Sequence, residues 1–230
     1  MTAAAHALFG EHVPLAEQYA ARLISDGVVR GLIGPREAPR IWDRHLLNCA
    51  AVAELLPVGA RVVDVGSGAG LPGIPLAIAR PDLTVTLVES MARRTDFLTE
   101  VVAGLKLDGR VSVVRARAEE CAGQLPPADV ATARALAPLD RLAGWCLPLV
   151  AVGGLILAIK GESAAEEIAA HTDAVRRAGG GTPELRQCGV GVLKPPTTVV
   201  EIVRERAVTS PREKTRRRST GGGKAHRRRA

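Results

Sequence analysis

The chain has 230 residues, of which 47% are hydrophobic and 24% charged, a composition that fits a folded domain with a short extension and excludes a wholly disordered protein. Its formal net charge of +7 is concentrated at the C-terminal end, because residues 212–230 contribute nine Lys or Arg against one acid and the remainder is close to neutral. The longest apolar stretch, residues 147–159, contains Pro148 and two glycines and is too short to span a bilayer, so no membrane partner is expected.

The cysteines and the N-terminus indicate the cellular compartment. Cys49, Cys121, Cys146 and Cys188 are far apart and form no C-x-x-C pair, so neither a structural zinc site nor a disulfide framework is expected. The N-terminus lacks the basic segment followed by an apolar one that is typical of a secretory signal. We therefore expect a cytoplasmic monomer with reduced thiols and no bound metal.

The predicted elements begin with helices and continue as an alternation of strands and helices. Apolar residues at helical spacing predict helices at 14–31 and 41–56, with glycine and proline between them. Short β-branched runs then predict strands at 61–65, 84–88, 111–114, 129–132, 155–159 and 199–203, separated by predicted helices at 73–80, 92–105, 139–150 and 164–178. This alternation predicts an α/β fold around a mostly parallel sheet. We divide the chain into a helical cap at 1–57, an α/β domain at 58–208 and a basic tail at 209–230.

The basic tail contains no large apolar residue, so we predict that it is disordered. A mobile cationic segment suits a polyanion, and RNA fits better than a membrane because no amphipathic face accompanies the charge. Arg216, Arg217 and Arg218 are candidate RNA contacts on this interpretation. A tail that only keeps the protein in solution is the alternative.

The most informative segment is residues 62–74, V-V-D-V-G-S-G-A-G-L-P-G-I, which predicts a strand, a glycine-rich turn and the start of a helix. Glycines allow the backbone to approach a ligand closely, and a helix start offers free N–H groups to an electron-rich group. Gly68-x-Gly70-x-x-Gly73, with Glu89 at the end of the next predicted strand, matches the pattern of dinucleotide-binding proteins.

The same segment also matches a second pattern, in which Asp64 precedes G-x-G-x-G as in methyltransferases that bind S-adenosylmethionine. The carboxylate of Asp64 would repel a nearby pyrophosphate, which favours S-adenosylmethionine over a dinucleotide. Glu89 serves either cofactor, because a carboxylate can accept both ribose hydroxyls. A tight turn without any ligand is the third interpretation.

Residues 66–76, G-S-G-A-G-L-P-G-I-P-L, resemble the loop of the bacterial RsmG family, also called GidB, whose members are 16S ribosomal RNA guanine-N7 methyltransferases. Shorter segments resemble family motifs in the same order: R-H-L-L-N at 44–48, R-R-T-D-F-L at 93–98, R-A-E-E at 117–120, A-R-A at 133–135 and A-I-K-G at 158–161. The resemblance covers about residues 40–205. It implies a Rossmann-like class I methyltransferase fold, with a mostly parallel seven-stranded sheet and helices on both faces. It also implies S-adenosylmethionine as cofactor and 16S ribosomal RNA, or the small-subunit particle, as partner.

The resemblance further implies roles for individual residues. The cofactor-binding residues would be Asp64, Gly66, Gly68, Gly70 and Leu71 in and below the loop, Glu89 at the ribose, Ala118 and Glu119 at the adenine, and Arg134 between cofactor and RNA. Arg134 would also act in catalysis. Lys160, after the fifth predicted strand, is a second catalytic candidate, and a phosphate clamp or a surface charge is its alternative role.

The candidate RNA contacts outside the tail are Arg44, His45, Arg93 and Arg94. A capping or core hydrogen bond is the alternative for His45, and a solvated helix face is the alternative for the arginine pair. The two tryptophans, Trp42 and Trp145, are expected to pack in the core.

The chemistry of guanine nitrogen 7 is compatible with this sequence. That nitrogen has an in-plane lone pair and no proton, so it can attack a sulfonium methyl without a general base, and positioning alone can supply about 7–11 kcal/mol. Methylation of pyrimidine carbon 5 uses a Pro-Cys pair and methylation of exocyclic amines uses an [DN]-P-P-[YFW] loop, neither of which occurs here. Two other hypotheses remain open: a nicotinamide-dependent oxidoreductase and a non-catalytic RNA-binding protein.

Overall fold

The N-terminal part of the computed structural model, which describes residues 3–208, is helical. The helices are α1 (Ala3–Phe9), α2 (Val13–Arg22) and α3 (Leu47–Ala51), with 3-10 turns at Gly10–His12, Ala38–Arg40 and Val52–Leu55 and π-helical turns at Leu23–Gly27 and Ile41–Leu46. The predicted helices at 14–31 and 41–56 are thus present as segments of mixed helix type. The predicted tail at 209–230, with its three candidate arginines, lies outside the described residues.

The rest of the described chain forms a seven-stranded sheet. Its strands are β1 (Arg61–Val65), β2 (Thr84–Glu89), β3 (Val111–Arg115), β4 (Ala128–Arg134), β5 (Val150–Ile159), β6 (Glu184–Cys188) and β7 (Thr197–Val203). Their order is β3-β2-β1-β4-β5-β7-β6, with β7 antiparallel to β5 and β6 and the other pairs parallel. The strand order reverses between β1 and β4, and open α/β sheets bind ligands in the crevice at such a point.

Helices cover both faces of this sheet, as predicted. They are α4 (Gly73–Ala79), α5 (Ala92–Gly104), α6 (Ala118–Cys121), α7 (Leu139–Cys146) and α8 (Ala164–Arg177). Phe9 and Tyr19 of the cap share one hydrophobic cluster with Ile74 and Leu98 of α4 and α5, while α7 and α8 contribute to a second cluster on the other face. None of the helices described between residues 3 and 208 combines the length and apolar character that a bilayer crossing demands.

Several predicted boundaries are wrong for identifiable reasons. The helix predicted at 139–150 ends at Cys146, and β5 begins at Val150 rather than at residue 155, because Gly153 and Gly154 interrupt the apolar pattern that the prediction uses. Strand β6 is absent from the prediction because four of its five residues are exposed, so it has no apolar run. Helix α1 is absent from the prediction because its alanine-rich sequence has no clear apolar stripe. Helix α6 is absent because its four residues are too few to show a helical period.

Candidate active site

The glycine loop joins β1 to α4 at the carboxyl edge of the sheet. Gly66, Gly68 and Gly70 have φ angles of +70°, +59° and +101°, in the left-handed region where any residue with a side chain is strained. The amides of Gly66 and Ser67 donate to the carbonyl of Val88 on β2, at 2.9 and 3.1 Å. The loop conformation therefore requires these glycines, and the loop is tied to the neighbouring strand.

Asp64 lies beneath the loop and is fully buried. Its Oδ2 accepts a hydrogen bond from the amide of Gly73 at 3.0 Å, and its Oδ1 accepts one from the hydroxyl of Thr132 at 3.2 Å. Burial raises the pKa of Asp64 to about 6, although these hydrogen bonds oppose the shift. The carboxylate thus holds the start of α4 against β1 and β4. Its charge would also repel a nearby pyrophosphate, which disfavours the dinucleotide interpretation.

The cap contributes directly to the same loop. The buried hydroxyl of Tyr19, on α2, donates to the carbonyl of Ala69 at 2.8 Å. This residue is missing from the sequence prediction, because a single tyrosine on an amphipathic helix carries no signal of a partner 50 positions away. The turn that faces the ligand crevice is consequently held from two sides, by β1 and by the cap.

Glu89 ends β2 and is 4% exposed. Its Oε2 accepts from the amide of Gly68 at 3.1 Å and from Arg94 at 3.3 Å, and its Oε1 accepts from the amide of Met91 at 3.0 Å. The structure thus places Glu89 beside the glycine loop, and its role at the ribose stays a prediction. A carboxylate so placed can accept the two hydroxyls of a ribose.

Gly66 and Glu89 line a pocket of about 400 Å³, whereas Asp64, Gly68 and Gly70 are not among its lining residues. A pocket of that size accommodates a ligand as large as a nucleoside derivative. Its lining residues are Val65, Gly66, Val88, Glu89, Ser90, Met91, Arg94, Ala116, Arg117, Ala118, Glu119, Leu136, Arg141 and Trp145. The structure thus brings together Gly66, Glu89, Ala118 and Glu119, which the sequence places far apart. Leu71 is half-buried within the loop and is not one of the lining residues.

The expectation that Trp145 packs in the core is wrong. Its ring is partly exposed and forms one wall of the pocket, with the guanidinium carbon of Arg141 at 4.9 Å from the ring centroid. These two residues stand four positions apart on α7, so they share one helix face. Trp42, in contrast, packs edge-to-face against Phe9 within the cap, with ring centroids 6.3 Å apart.

Arg134 ends β4, and its guanidinium points toward the cap rather than into the pocket. Nη2 donates to the carbonyl of Arg44 at 3.1 Å and lies 2.7 Å from Nδ1 of His45, and Nη1 donates to Sγ of Cys49 at 3.4 Å. Ala135 follows with a φ angle of +50°, a strained conformation for a residue other than glycine. We call residues 134–135 the β4 corner. Arg134 is outside the set of residues that line the pocket.

Lys160 follows β5, next to the β4 corner, and is engaged by protein groups. Its Nζ lies 2.8 Å from the carbonyl of Ala137 and 2.8 Å from Oε2 of Glu167 on α8, and the side chain is only 13% exposed. It therefore fixes the segment after the β4 corner. Its catalytic role stays a prediction.

The four predicted RNA contacts differ in their exposure and in whether an acidic side chain pairs with them. Nη1 of Arg44 is 3.4 Å from Oε1 of Glu37, and its side chain is half exposed. The ring of His45 is 12% exposed between Arg134 and Glu37, and Arg94 pairs with Glu89. Arg93 is exposed on the first turn of α5 and has no ion-pair partner within residues 3–208. All four stay predictions as RNA contacts.

The described residues contain no group of three or more His, Cys, Asp or Glu side chains that could hold a metal ion. The four cysteines are buried free thiols.

Two solved methyltransferases have a fold similar to that of this chain. The S-adenosylmethionine-dependent methyltransferase SibL has a TM-score of 0.57 and 19% identity, over 74% of this chain and 58% of that one, so this chain spans less than two thirds of SibL. The O-methyltransferase NcsB1 from neocarzinostatin biosynthesis, solved with S-adenosylmethionine, has a TM-score of 0.54 and 17% identity over 88% of this chain and 74% of that one. At such identities the likeness shows the fold, which confirms the predicted class I methyltransferase architecture.

The sequence model of the GidB family, described as rRNA small subunit methyltransferase G, matches residues 12–190. The ribosomal RNA small subunit methyltransferase G of Salinispora tropica is 63% identical over 227 residues, covering 96% of this chain and 94% of the relative. That of Rhodococcus jostii is 55% identical over 217 residues, covering 94% and 92%. The chain therefore belongs to the GidB family of rRNA small subunit methyltransferases, and the resemblance read from its motifs is confirmed.

Proposed function

We propose that this protein transfers the methyl group of S-adenosylmethionine to ring nitrogen 7 of a guanine in 16S ribosomal RNA of the small subunit. Membership of the GidB family supports a methyltransferase that acts on ribosomal RNA, and we place its action in the cytoplasm for that reason. The observation that carries the proposal is the buried carboxylate of Glu89, which lies beside the glycine loop and lines a nucleoside-sized pocket.

The pocket suggests how the cofactor would be held. Glu89 would accept the ribose hydroxyls, exchanging its present contact with the amide of Gly68 for them. The adenine would lie beside Ala118 and Glu119, with the ring of Trp145 as an apolar wall. The amino-acid end would then extend over the glycine loop, whose turn Asp64 supports from below.

The proposed transfer needs little help from proton transfer. The lone pair of nitrogen 7 forms the new bond to the methyl carbon while the carbon–sulfur bond breaks. The bonding electrons return to sulfur, so S-adenosylhomocysteine leaves and the purine ring carries the positive charge. No proton moves, so the protein's contribution is to orient the two reactants and to exclude water. Arginine suits such a site because it stays charged and only donates hydrogen bonds.

The carboxyl edge of the sheet supports RNA as the partner. Arg93 on α5 and Arg115 at the end of β3 are both exposed and lack an ion-pair partner in the part of the chain that the structure describes.

Truncation after Pro211 removes nine further cations, those of the basic tail. We expect this truncation to weaken RNA binding and to lower the slope of log affinity against log salt by about 0.7–0.9 for each phosphate that the tail neutralises. An unchanged slope would favour a tail that only keeps the protein in solution.

Two measurements test the proposed function. Calorimetry should detect S-adenosylhomocysteine binding and no NAD binding, and the reverse result would overturn the cofactor assignment. Mass spectrometry of 16S ribosomal RNA from a deletion strain should show one 7-methylguanosine fewer than the parent strain, restored by the wild-type gene. An unchanged modification profile would overturn the substrate. Purified protein offered naked RNA and assembled small-subunit particles in parallel would identify which of the two is methylated.

A further inference from the structure

We propose that Glu37 of the cap is a positioning residue, which acts through the ring of His45 to hold the guanidinium of Arg134 at the β4 corner. The proposal rests on the proposed function, because it gives the β4 corner a part in methyl transfer. It concerns a carboxylate that lies outside every motif of the sequence analysis.

The three side chains form a continuous line of hydrogen bonds. Oε2 of Glu37 lies 2.9 Å from Nε2 of His45, and Nδ1 of the same ring lies 2.7 Å from Nη2 of Arg134. The line thus runs from the connection before the 3-10 turn at Ala38–Arg40, through the π-helical turn, to the end of β4. It spans the joint between the cap and the sheet.

The chemistry of arginine determines where the proton of His45 must lie. A guanidinium only donates hydrogen bonds, so Nδ1 of His45 must accept from Arg134 and carry no proton. A neutral imidazole then has its proton on Nε2, and this N–H donates to the carboxylate of Glu37. Glu37 therefore selects the tautomer that Arg134 needs.

The surroundings of His45 favour this neutral form. The ring faces Arg134 from β4, Glu37 from the preceding connection and Arg44 on its own turn, while the thiol of Cys49 on α3 contacts Arg134. Burial, followed by the charge of Arg134, lowers the pKa of His45 below its usual value, although Glu37 opposes this shift. The pKa of Glu37 is itself lowered by its hydrogen bond to His45, so the carboxylate stays ionised.

Protonation of His45 would disrupt the line. The added proton would sit on Nδ1 and face a guanidinium N–H across a 2.7 Å separation, so two donors would oppose each other. Arg134 would then have no acceptor on the ring to hold it at the β4 corner. We therefore expect the acid side of the rate profile to follow the titration of His45.

The first test needs no activity. Nitrogen-15 NMR of the imidazoles, with His45 assigned by its absence in a His45→Gln variant, should show a neutral ring protonated on Nε2 and a pKa below 6.5. A ring protonated on Nδ1, or a pKa above 6.5, would overturn the proposal. This measurement stands even if the protein proves to methylate another substrate, so failure here is distinct from failure of the proposed function.

The second test compares two substitutions of Glu37. Glu37→Ala removes the acceptor and should lower kcat about ten-fold while the KM for S-adenosylmethionine is unchanged, because Arg134 does not line the cofactor pocket. Glu37→Gln keeps an acceptor for Nε2–H and should restore most of kcat. Both variants lose the charge that raises the pKa of His45, so the acid side of both profiles should move to lower pH.

Glu100→Gln is the matched control, because Glu100 pairs with Arg30 of the cap at 2.5 Å and also links the cap to the α/β part. It should leave kcat and the pH profile unchanged. A Glu37→Ala protein with the kcat and pH profile of the wild type would overturn the proposal. So would a Glu37→Ala profile that loses rate without any shift in pH, since that pattern indicates a merely structural contact.

Discussion

The glycine loop and the β4 corner lie side by side at the carboxyl edge of the sheet, but they are held in different ways. Asp64 holds the loop through the amide of Gly73, only nine positions away. Arg134 is held by His45 and Cys49, which are 89 and 85 positions away. The loop is thus fixed mainly by the α/β part, with one hydrogen bond from Tyr19 of the cap, whereas the side-chain hydrogen bonds of Arg134 all go to the cap. A substitution should therefore affect stability at the loop and orientation at the corner.

Arg134→Ala should have the largest effect and tests the corner side of this comparison. On the proposed function, loss of the donor that the cap holds at the β4 corner should lower kcat/KM for methyl transfer about 100-fold or more. Arg30→Ala is the control, because it removes another link between cap and α/β part, the pair with Glu100. Activity of Arg134→Ala within a few-fold of wild type would remove the β4 corner from the reaction.

Gly73→Ala tests the loop side. A Cβ there would lie 2.4 Å from Cδ2 of Leu87 and 2.8 Å from Oδ2 of Asp64, so the free energy of unfolding should fall by roughly 3 kcal/mol in urea titrations. Gly144→Ala is the matched control, since no atom lies within 4 Å of its added Cβ and it sits in helix α7. That variant should gain about 0.5–1 kcal/mol. Equal stabilities for the two variants would contradict the tight packing of the loop.

The pH dependence of the free energy of unfolding tests the loop side further, through Asp64. The pKa of Asp64 is raised from 3.8 to about 6 in the folded protein, so the folded state binds a proton that the unfolded state releases. This contribution to stability is complete below pH 4 and is lost as the pH rises through 6, by roughly 2–3 kcal/mol. Asp64→Asn should flatten that part of the curve. Urea titrations at several pH values would measure it, and parallel curves for both proteins would contradict the assignment.

Substitution of Trp145, which forms one wall of the pocket, should give the smallest effect. Trp145→Leu should weaken S-adenosylhomocysteine binding about two- to ten-fold in calorimetry, the range expected for removal of an aromatic wall. Binding should also change the tryptophan emission of the wild type and of Trp42→Phe, but not of Trp145→Leu. An emission change that survives in Trp145→Leu would place the ligand elsewhere.

The sequence predicts the parts of this protein whose signals are local. The β-branched runs identify β1, β2 and β3 because those strands are short and bounded by turn residues. The spacing of Asp64, Gly66, Gly68 and Gly70 predicts the loop. The glycines allow its positive φ angles, and Asp64 accepts a hydrogen bond from the amide of Gly73. Glu89 follows from the same logic, because it ends the adjacent strand.

The remainder depends on tertiary contacts that no local pattern encodes. Strand β6 lies exposed at the sheet edge and has no apolar run to reveal it. Trp145 reads as a core residue because aromatics are scarce, and only its position on α7 turns it toward the pocket. The partners of Arg134 come from the cap, and their identity requires the docked arrangement of two regions far apart in sequence.

The hydrogen bond between Tyr19 and Ala69 has a consequence for how such proteins recombine. The predicted boundary at residue 57 suggests that the helical cap could be exchanged between relatives. However, the hydroxyl of Tyr19 in the cap donates a hydrogen bond to the glycine loop of the α/β part. A hybrid that mismatches the two would leave the buried carbonyl of Ala69, in the glycine loop, without its donor. We expect the two segments to be inherited, and to be transplanted successfully, only as a pair.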